Sequence, residues 1–465
     1  MLLDPLFSPF LAASPLSVMA RSLIEHTLAP TDLDRLFEDH AKKQYTRKVT
    51  FSSLVELISL VVCGKQPSVC SAYQTNPGAV AASLTAVYNK LHGIEDSIST
   101  LLVEQTAERL SPLVEQVGGL YPEIIPGYRM RILDGNHLAG TEHRLPETRD
   151  ESAAPLPGQT LAVLEPARRL ITDIVCCQDG HAQERSLLDD IVAKVQKRDL
   201  WLADRNFCVR HFLLSIAGRL GFFVIREHAN LNPKVIGKLH RRGRIASGRV
   251  SEQNIRIDGA DGKSLVLRRV VLELDEPTRD GETVITLVTN LPVKEVHARV
   301  VAKVYQERWL IEGAFLELST VLQCEVKALC YPAAALFAFC VAVVAYNMLG
   351  VLKATLRGTH GAEKIDKEVS GYYLAGELKR VYEGMMIAIP DEYWRVFGAM
   401  PPAEFAAFLR EMAARVFLPK YKKHPRGPKK PTVKRRHRKD HPHVSTAQRL
   451  AARKLKKKMA LVANL

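Results

Sequence analysis

Five side chains in this sequence have the types and spacing to do chemistry on a phosphate. Tyr305, Arg308 and Glu312 lie within "VYQERWLIEGAF", residues 304–315. On a helix, positions three and four apart share a face, so a hydroxyl, a guanidinium and a carboxylate would form one stripe. Ile311 and Phe315 would face the other way and anchor the helix to a core. Two further carboxylates end apolar runs: Asp134 in "YRMRILDGN" and Asp204 in "DLWLADRNF". A lone carboxylate at a strand end is usually a turn former. Three of them on two strands and one helix of a single core suggest a hard-cation site. Magnesium prefers a few carboxylates and keeps its waters. Two such ions can clamp the attacking and leaving oxygens of a phosphodiester.

Positioning these groups calls for an α/β core. "YRMRILDGN" alternates and reads as a strand running into an Asp-Gly turn. "TLAVLEP" and "RRLITDIVCC" read as two more strands, and "ERSLLDDIVAKVQK" as an amphipathic helix. "DLWLADRNF" and "GFFVIRE" complete the mixture of strand and helix expected of α/β architecture. Residues 230–292 interrupt it as a β-rich insertion. Its segment "KVIGKLHRRGRIASGR" carries six Lys or Arg and no acid, and reads as a basic loop containing Arg241, Arg242 and Arg244. Residues 31–118 read as several short helices, with Thr31 or Asp32 capping one and Gly64 and Gly93 stopping two others. They fit a helix-turn-helix-like DNA reader and an ordinary helical bundle equally well.

The net charge of +15 is concentrated at one end. Residues 420–458 hold 17 Lys or Arg against one acid, Asp440, so the rest of the chain is close to neutral. A basic tail of this kind meets a polyanion. Its first part, up to Asp440, is expected to be disordered or extended without DNA. Its second part, "STAQRLAARKLKKKMALV", is expected to become helical once phosphates screen it. Eight dispersed cysteines form no CxxC pair, which fits reduced thiols in a cytoplasm rather than zinc or disulfides. The apolar N-terminus lacks a positive region and carries Asp4, unlike a signal peptide. Residues 328–352 are uncharged and long enough to span a bilayer. Abundant Ala and an internal Asn347 favour a buried central helix instead, so no membrane partner is expected. No Gly-rich phosphate loop indicates ATP dependence.

"ILDGN", "WLADRNF", "LVTNLP" and "YQERWLIEGAF", in that order, resemble the DDE transposases of bacterial insertion sequences, of the IS-four type. The likeness covers roughly residues 120–350. It implies an RNase H-like mixed sheet with flanking helices. It also implies that Asp134, Asp204 and Glu312 are the catalytic, metal-binding acids, holding Mg²⁺ (or Mn²⁺), with two ions expected. In that family the helix signature is Tyr, Arg, Glu and Lys. Tyr305, Arg308 and Glu312 match it, while Ser319 stands at the Lys position. Lys327 or the 234–249 segment is an alternative source of that contact. The resemblance implies that Tyr305 and Arg308 contact the transposon-end strand. Trp309 beside them would pack on the core or stack on a base.

The implied activity is DNA transposition: cleavage at transposon ends and joining to target DNA, with a homodimer on double-stranded DNA. A DNA-binding transposase relic and a structure-specific nuclease on the same core are the competing readings. The expected organisation is a helical DNA-binding region (1–120), a core in two parts (121–229 and 293–360) around the insertion (230–292), a helical region (361–419) and the basic tail (420–465). Asp173, Asp189, Asp190 and Asp199 compete for the metal role. Asp189 and Asp190 look solvated, and Asp173 could be core-paired.

Overall fold

The structure is a computed structural model; it describes residues 8–76, 78, 80–259, 262–278, 280–376, 389, 391–424 and 443–463. Seven helices come first: α1 (Ser8–Ala13), α2 (Pro15–Thr27), α3 (Pro30–His40), α4 (Phe51–Val62), α5 (Val69–Thr75), α6 (Leu84–His92) and α7 (Asp96–Gln116). Neither Thr31 nor Asp32 caps α3. Pro30 occupies its first turn, where the missing N–H costs nothing, and Ala29 is the cap residue. Gly93 does close α6, and Gly64 follows α4 at φ +68°.

A sheet of β1 (Arg129–His137), β2 (Gln159–Glu165), β3 (Leu170–Cys177), β4 (Asp199–Ala203) and β5 (Phe222–Arg226) follows, with α8 (Leu188–Ala193) before β4 and α9 (Arg210–Gly218) between β4 and β5. Then come β6 (Lys234–Ile245), β7 (Gly248–Asp258), β8 (Ser264–Leu274) and β9 (Val284–Thr289). The nine strands form one sheet in the order β3-β2-β1-β4-β5-β9-β8-β7-β6. β2 is antiparallel to both neighbours, whereas β1, β4 and β5 run parallel. This 3-2-1-4-5 arrangement is the RNase H-like mixed sheet. The strands of 230–292 extend that sheet, because β9 pairs antiparallel with β5.

Two expectations about strands need correction. The Asp134-Gly135 pair is not a turn. β1 continues to His137, with Asp134 opposite Ala162 and Gly135 opposite Leu161. The Glu184 carboxylate lies against Gly135, where a Cβ would make it shift. The basic segment 234–249 is not a loop either. It supplies β6, the outer edge strand, exposed at every position except Ile245. Lys and Arg along a free edge discourage pairing with another chain. A bulge beside Gly243, at φ +103°, bends that edge.

The remaining helices are α10 (Ala298–Gln306), α11 (Trp309–Val321), α12 (Pro332–His360), α13 (Ala362–Glu368), α14 (Arg395–Gly398), α15 (Pro402–Ala414) and α16 (Thr446–Ala463). α12 is long and apolar enough to cross a membrane, yet 94% of its most apolar window is buried inside the protein. It packs against α2, α4, α6, α7, α15 and β3. Asn347 explains why a polar residue sits in that helix. Its side chain accepts from Ile171 N and donates to Ile171 O, both at 2.8 Å, so α12 closes the open edge of β3. The first part of the tail, to Asp440, lies largely outside the described residues. The second part of the tail forms α16, a helix over Thr446–Ala463.

Candidate active site

The carboxylates meet at one edge of the sheet because β1 and β4 run parallel. Asp134 lies in the C-terminal half of β1, and Asp204 follows the last residue of β4. Asp204 caps a short 3₁₀ turn by accepting from Asn206 N at 2.8 Å. Across from them, the expected single helix is two. Tyr305 ends the buried face of α10, and Glu312 lies in the first turn of α11. Between them the backbone tightens: Arg308 N donates to Tyr305 O and Ile311 N to Arg308 O, both three residues back. Ile311 is fully buried, and Phe315 is partly so. α10 is held in place by Arg268, buried in the sheet, whose Nη1 donates to Leu291 O and Val296 O just before the helix.

Arg308 joins the two halves. Its Nη1 lies 3.2 Å from Asp134 Oδ2 and its Nη2 2.7 Å from Glu312 Oε1. Its Nε is buried without a hydrogen-bond partner among the described residues. Burial pushes the Asp134 carboxyl up to about 7; Arg308 opposes that shift, while the charges of Asp204 and Glu312 add to it. Three carboxylates thus act on one another with a single guanidinium to balance them. Burial likewise pushes the Tyr305 hydroxyl up to about 12, so it remains a neutral hydrogen-bond donor.

Among the described residues, no group of three His, Cys, Asp or Glu converges closely enough to enclose an ion. The Arg308 fork stands between Asp134 and Glu312, where a metal would have to sit. The donor set nonetheless suits a hard divalent cation: carboxylate oxygens, excess negative charge and a buried acid whose proton an ion could displace.

Trp309 is exposed, with its ring 5.3 Å from the Arg308 guanidinium carbon, so it does not pack on the core. Arg241, Arg242 and Arg244 lie on the β6 edge rather than among the acids. Arg242 is committed to the buried Glu252 and Arg244 to Asp275, whereas Arg241 has no ion-pair partner among the described residues. Ser319 lines a cleft of about 290 Å³ with Asn136, Phe315 and Glu325. Of the competing acids, Asp199 is buried against Arg129, Asp173 pairs with Arg131, and Asp189 is exposed beside His211.

Sequence reasoning missed Glu184. It accepts from the Asn206 side chain and lies against Gly135, tying the Asp134 strand to the Asp204 turn. Arg185 adds a bond from Nε to Asn206 O at 2.8 Å. The one clue in the sequence is the glycine beside Asp134, which local chemistry assigns to a turn.

The sheet order is RNase H-like, and the three acids at its carboxyl edge are the candidate site. Residues 126–348 match the family model of the transposase DDE domain. The chain is a DDE transposase, an enzyme that cleaves DNA strands and transfers them. The family generally uses divalent metal ions. No curated protein matches the sequence. Among solved structures, the "piggyBac transposase synaptic complex with hairpin DNA" aligns over 88% of this chain and 84% of that one, at 11% identity and a TM-score of 0.38. A likeness that distant carries no argument about this chain.

Proposed function

We propose that Asp134, Asp204 and Glu312 are the catalytic acids and jointly hold two Mg²⁺ ions, with Mn²⁺ as a substitute. The observation that carries this reading is the uncompensated negative charge at the carboxyl edge of β1 and β4, balanced among the described residues only by Arg308. When bound, the metal would lower the proton affinity of the attacking oxygen and offset charge building on the phosphate. In the first step water attacks a phosphodiester at the transposon end and a 3′-hydroxyl leaves. In the second that hydroxyl attacks a target phosphodiester, whose own 3′-oxygen leaves.

The protein's part is positioning. Arg308 turns its planar fork from the two acids to a phosphate, which it can grip through two bonds. Tyr305, kept protonated, donates to the same strand. Trp309 offers an exposed ring on which a base near the cut can stack. Arg241, at the edge of the sheet, meets a more distant phosphate. We assign the chain to the bacterial IS-four type, acting in the cytoplasm as a homodimer on paired ends. The N-terminal helices α1 to α7 would read those ends.

Inverted repeats, sought in the DNA flanking the coding region, are the substrate for the test. Asp134→Ala, Asp204→Ala and Glu312→Ala should each lose at least about a thousandfold in cleavage while retaining end binding. Full cleavage by any of them removes that residue from the site. Cutting without joining would favour the nuclease reading, and binding without metal-dependent cutting the relic.

A further inference from the structure

The C-terminal helix is fastened to the same edge of the sheet that carries the acids. β1 runs from Asp134 to His137 and into the connection that leads to β2 at Gln159. The segment before α16 joins that connection through a single parallel bridge between Leu156 and Ser445: Leu156 N donates to Val444 O at 2.8 Å and Thr446 N to Leu156 O at 3.1 Å. Ser445 and Thr446 are buried. The first turns of α16 then pair with fixed acids. Arg449 meets Glu151, Arg453 meets Glu147, and Gln448 Nε2 donates to Asp179 Oδ2 at 2.8 Å just beyond β3.

Beyond Arg453 the helix changes character. Lys454, Lys456, Lys457 and Lys458 are exposed, and none has an ion-pair partner among the described residues. The two arginines are committed to the body, whereas the four lysines face outward. Eighteen residues of helix span about 27 Å, roughly three quarters of a turn of duplex DNA, and the four lysines lie within five consecutive positions of it.

We propose that α16 is a docked phosphate clamp: its lysines contact the backbone of the same DNA whose scissile phosphate lies at Asp134, Asp204 and Glu312. The clamp rests on those three acids being the catalytic ones. It differs from a loosely attached basic tail, which would raise affinity for DNA anywhere. The anchors at Glu147, Glu151 and Leu156 give the contact a position as well as a charge. Double-stranded DNA carries a charge every ~1.7 Å of axis, so four lysines on one helix find acceptors whatever the base sequence.

Two measurements on the full chain test this. The first is the salt dependence of binding to a random duplex. Lys454→Gln, Lys456→Gln, Lys457→Gln and Lys458→Gln combined should lower the slope of log K against log salt by about 0.9 for each phosphate no longer neutralised. All four positions are exposed, so folding should be unaffected. The second places photoreactive residues at positions 457 and 309 and adds a duplex of about two turns, ~70 Å. Both positions should crosslink to one duplex. Glu147→Gln with Glu151→Gln should abolish the double link while keeping the salt slope.

An unchanged slope in the four-lysine variant overturns the clamp. So does a crosslink from 309 without one from 457. No crosslink from 309 would sink the active-site placement, and this proposal with it. A concentration-dependent dimer lost in Leu455→Gln/Met459→Gln, with the slope unaltered by the lysine changes, would assign the helix to a second copy instead.

Discussion

Two acidic clusters sit on this sheet, and they are balanced differently. On the β3 side of the sheet, Asp173 and Glu165 are shared among Arg131, Arg168 and Lys194, with Glu104 and Glu115 completing the network. Arg131 there is almost wholly buried and also lies over the Trp201 ring. At the carboxyl edge, Asp134, Asp204 and Glu312 have Arg308 alone among the described residues. In the first cluster three cations pair with four carboxylates, so each acid has an ion-pair partner and the network holds the fold. The second is short of positive charge, which leaves a place for an ion and a phosphate. What a carboxylate can do is set by the charges that surround it.

That contrast can be broken most sharply by exchanging readouts. Arg131→Ala leaves Asp173 and Glu165 buried and underpaired, so it should cost about 3–5 kcal/mol of stability. The three alanine variants at the carboxyl edge should instead abolish cleavage with little loss of fold. Denaturant titration beside a cleavage assay separates the two. A stable Arg131→Ala protein would show that the first cluster is not structural.

A smaller effect is expected at Arg308. Arg308→Lys keeps the charge but loses the fork that reaches two oxygens at once. Cleavage should fall about a hundredfold, with general DNA affinity changed little. Parent-like cleavage kinetics would remove the clamp role.

The pH dependence of stability sharpens the comparison further. Burial raises the Asp134 carboxyl from 3.8 to about 7, so the native state binds that proton more tightly than the unfolded chain does. The resulting stabilisation is fully present below the unfolded value and is lost as pH rises through about 7. Without metal, Asp134→Asn should therefore match the parent near pH 4 and become the more stable protein above pH 7, by up to roughly 4 kcal/mol. Thermal unfolding in chelator across that range checks it, and parallel curves would contradict the unbalanced charge.

The smallest change is expected at Ser319. A lysine there would enter the cleft beside Glu325, which already accepts from Ala139 N at 3.1 Å. Ser319→Lys should be nearly neutral for cleavage if Glu325 takes up the new charge. A salt slope steeper by about 0.9 would show that the lysine reaches a phosphate instead.

Periodicity and residue type make much of this molecule legible. Apolar runs locate β1 to β5, and the uncharged, Ala-rich stretch 328–352 with Asn347 points to a buried helix, observed as Pro332–His360. The order of Asp134, Asp204 and Glu312, with Tyr305 and Arg308 at helical spacing, marks the candidate site. These are local signals, carried by neighbours in the chain. Asp134-Gly135 misleads because its dipeptide chemistry favours turns, whereas pairing with β2 and Glu184 against it decide otherwise. The basic segment 234–249 reads as a loop because an exposed edge strand buries almost nothing and so has no apolar alternation.

Sequence by itself determined the composition of the candidate site, three acids and one guanidinium, and a concentrated positive charge in residues 420–458. Tertiary structure alone decided their relations. Parallel pairing of β1 with β4 brought residues 134 and 204 to one edge, and the tight turn between α10 and α11 aimed Arg308 between Asp134 and Glu312. Pairing at Leu156 placed the C-terminal helix there too. Charge and hydrogen-bonding capacity belong to a residue, but their balance depends on distances between groups far apart in the chain, and only packing sets those.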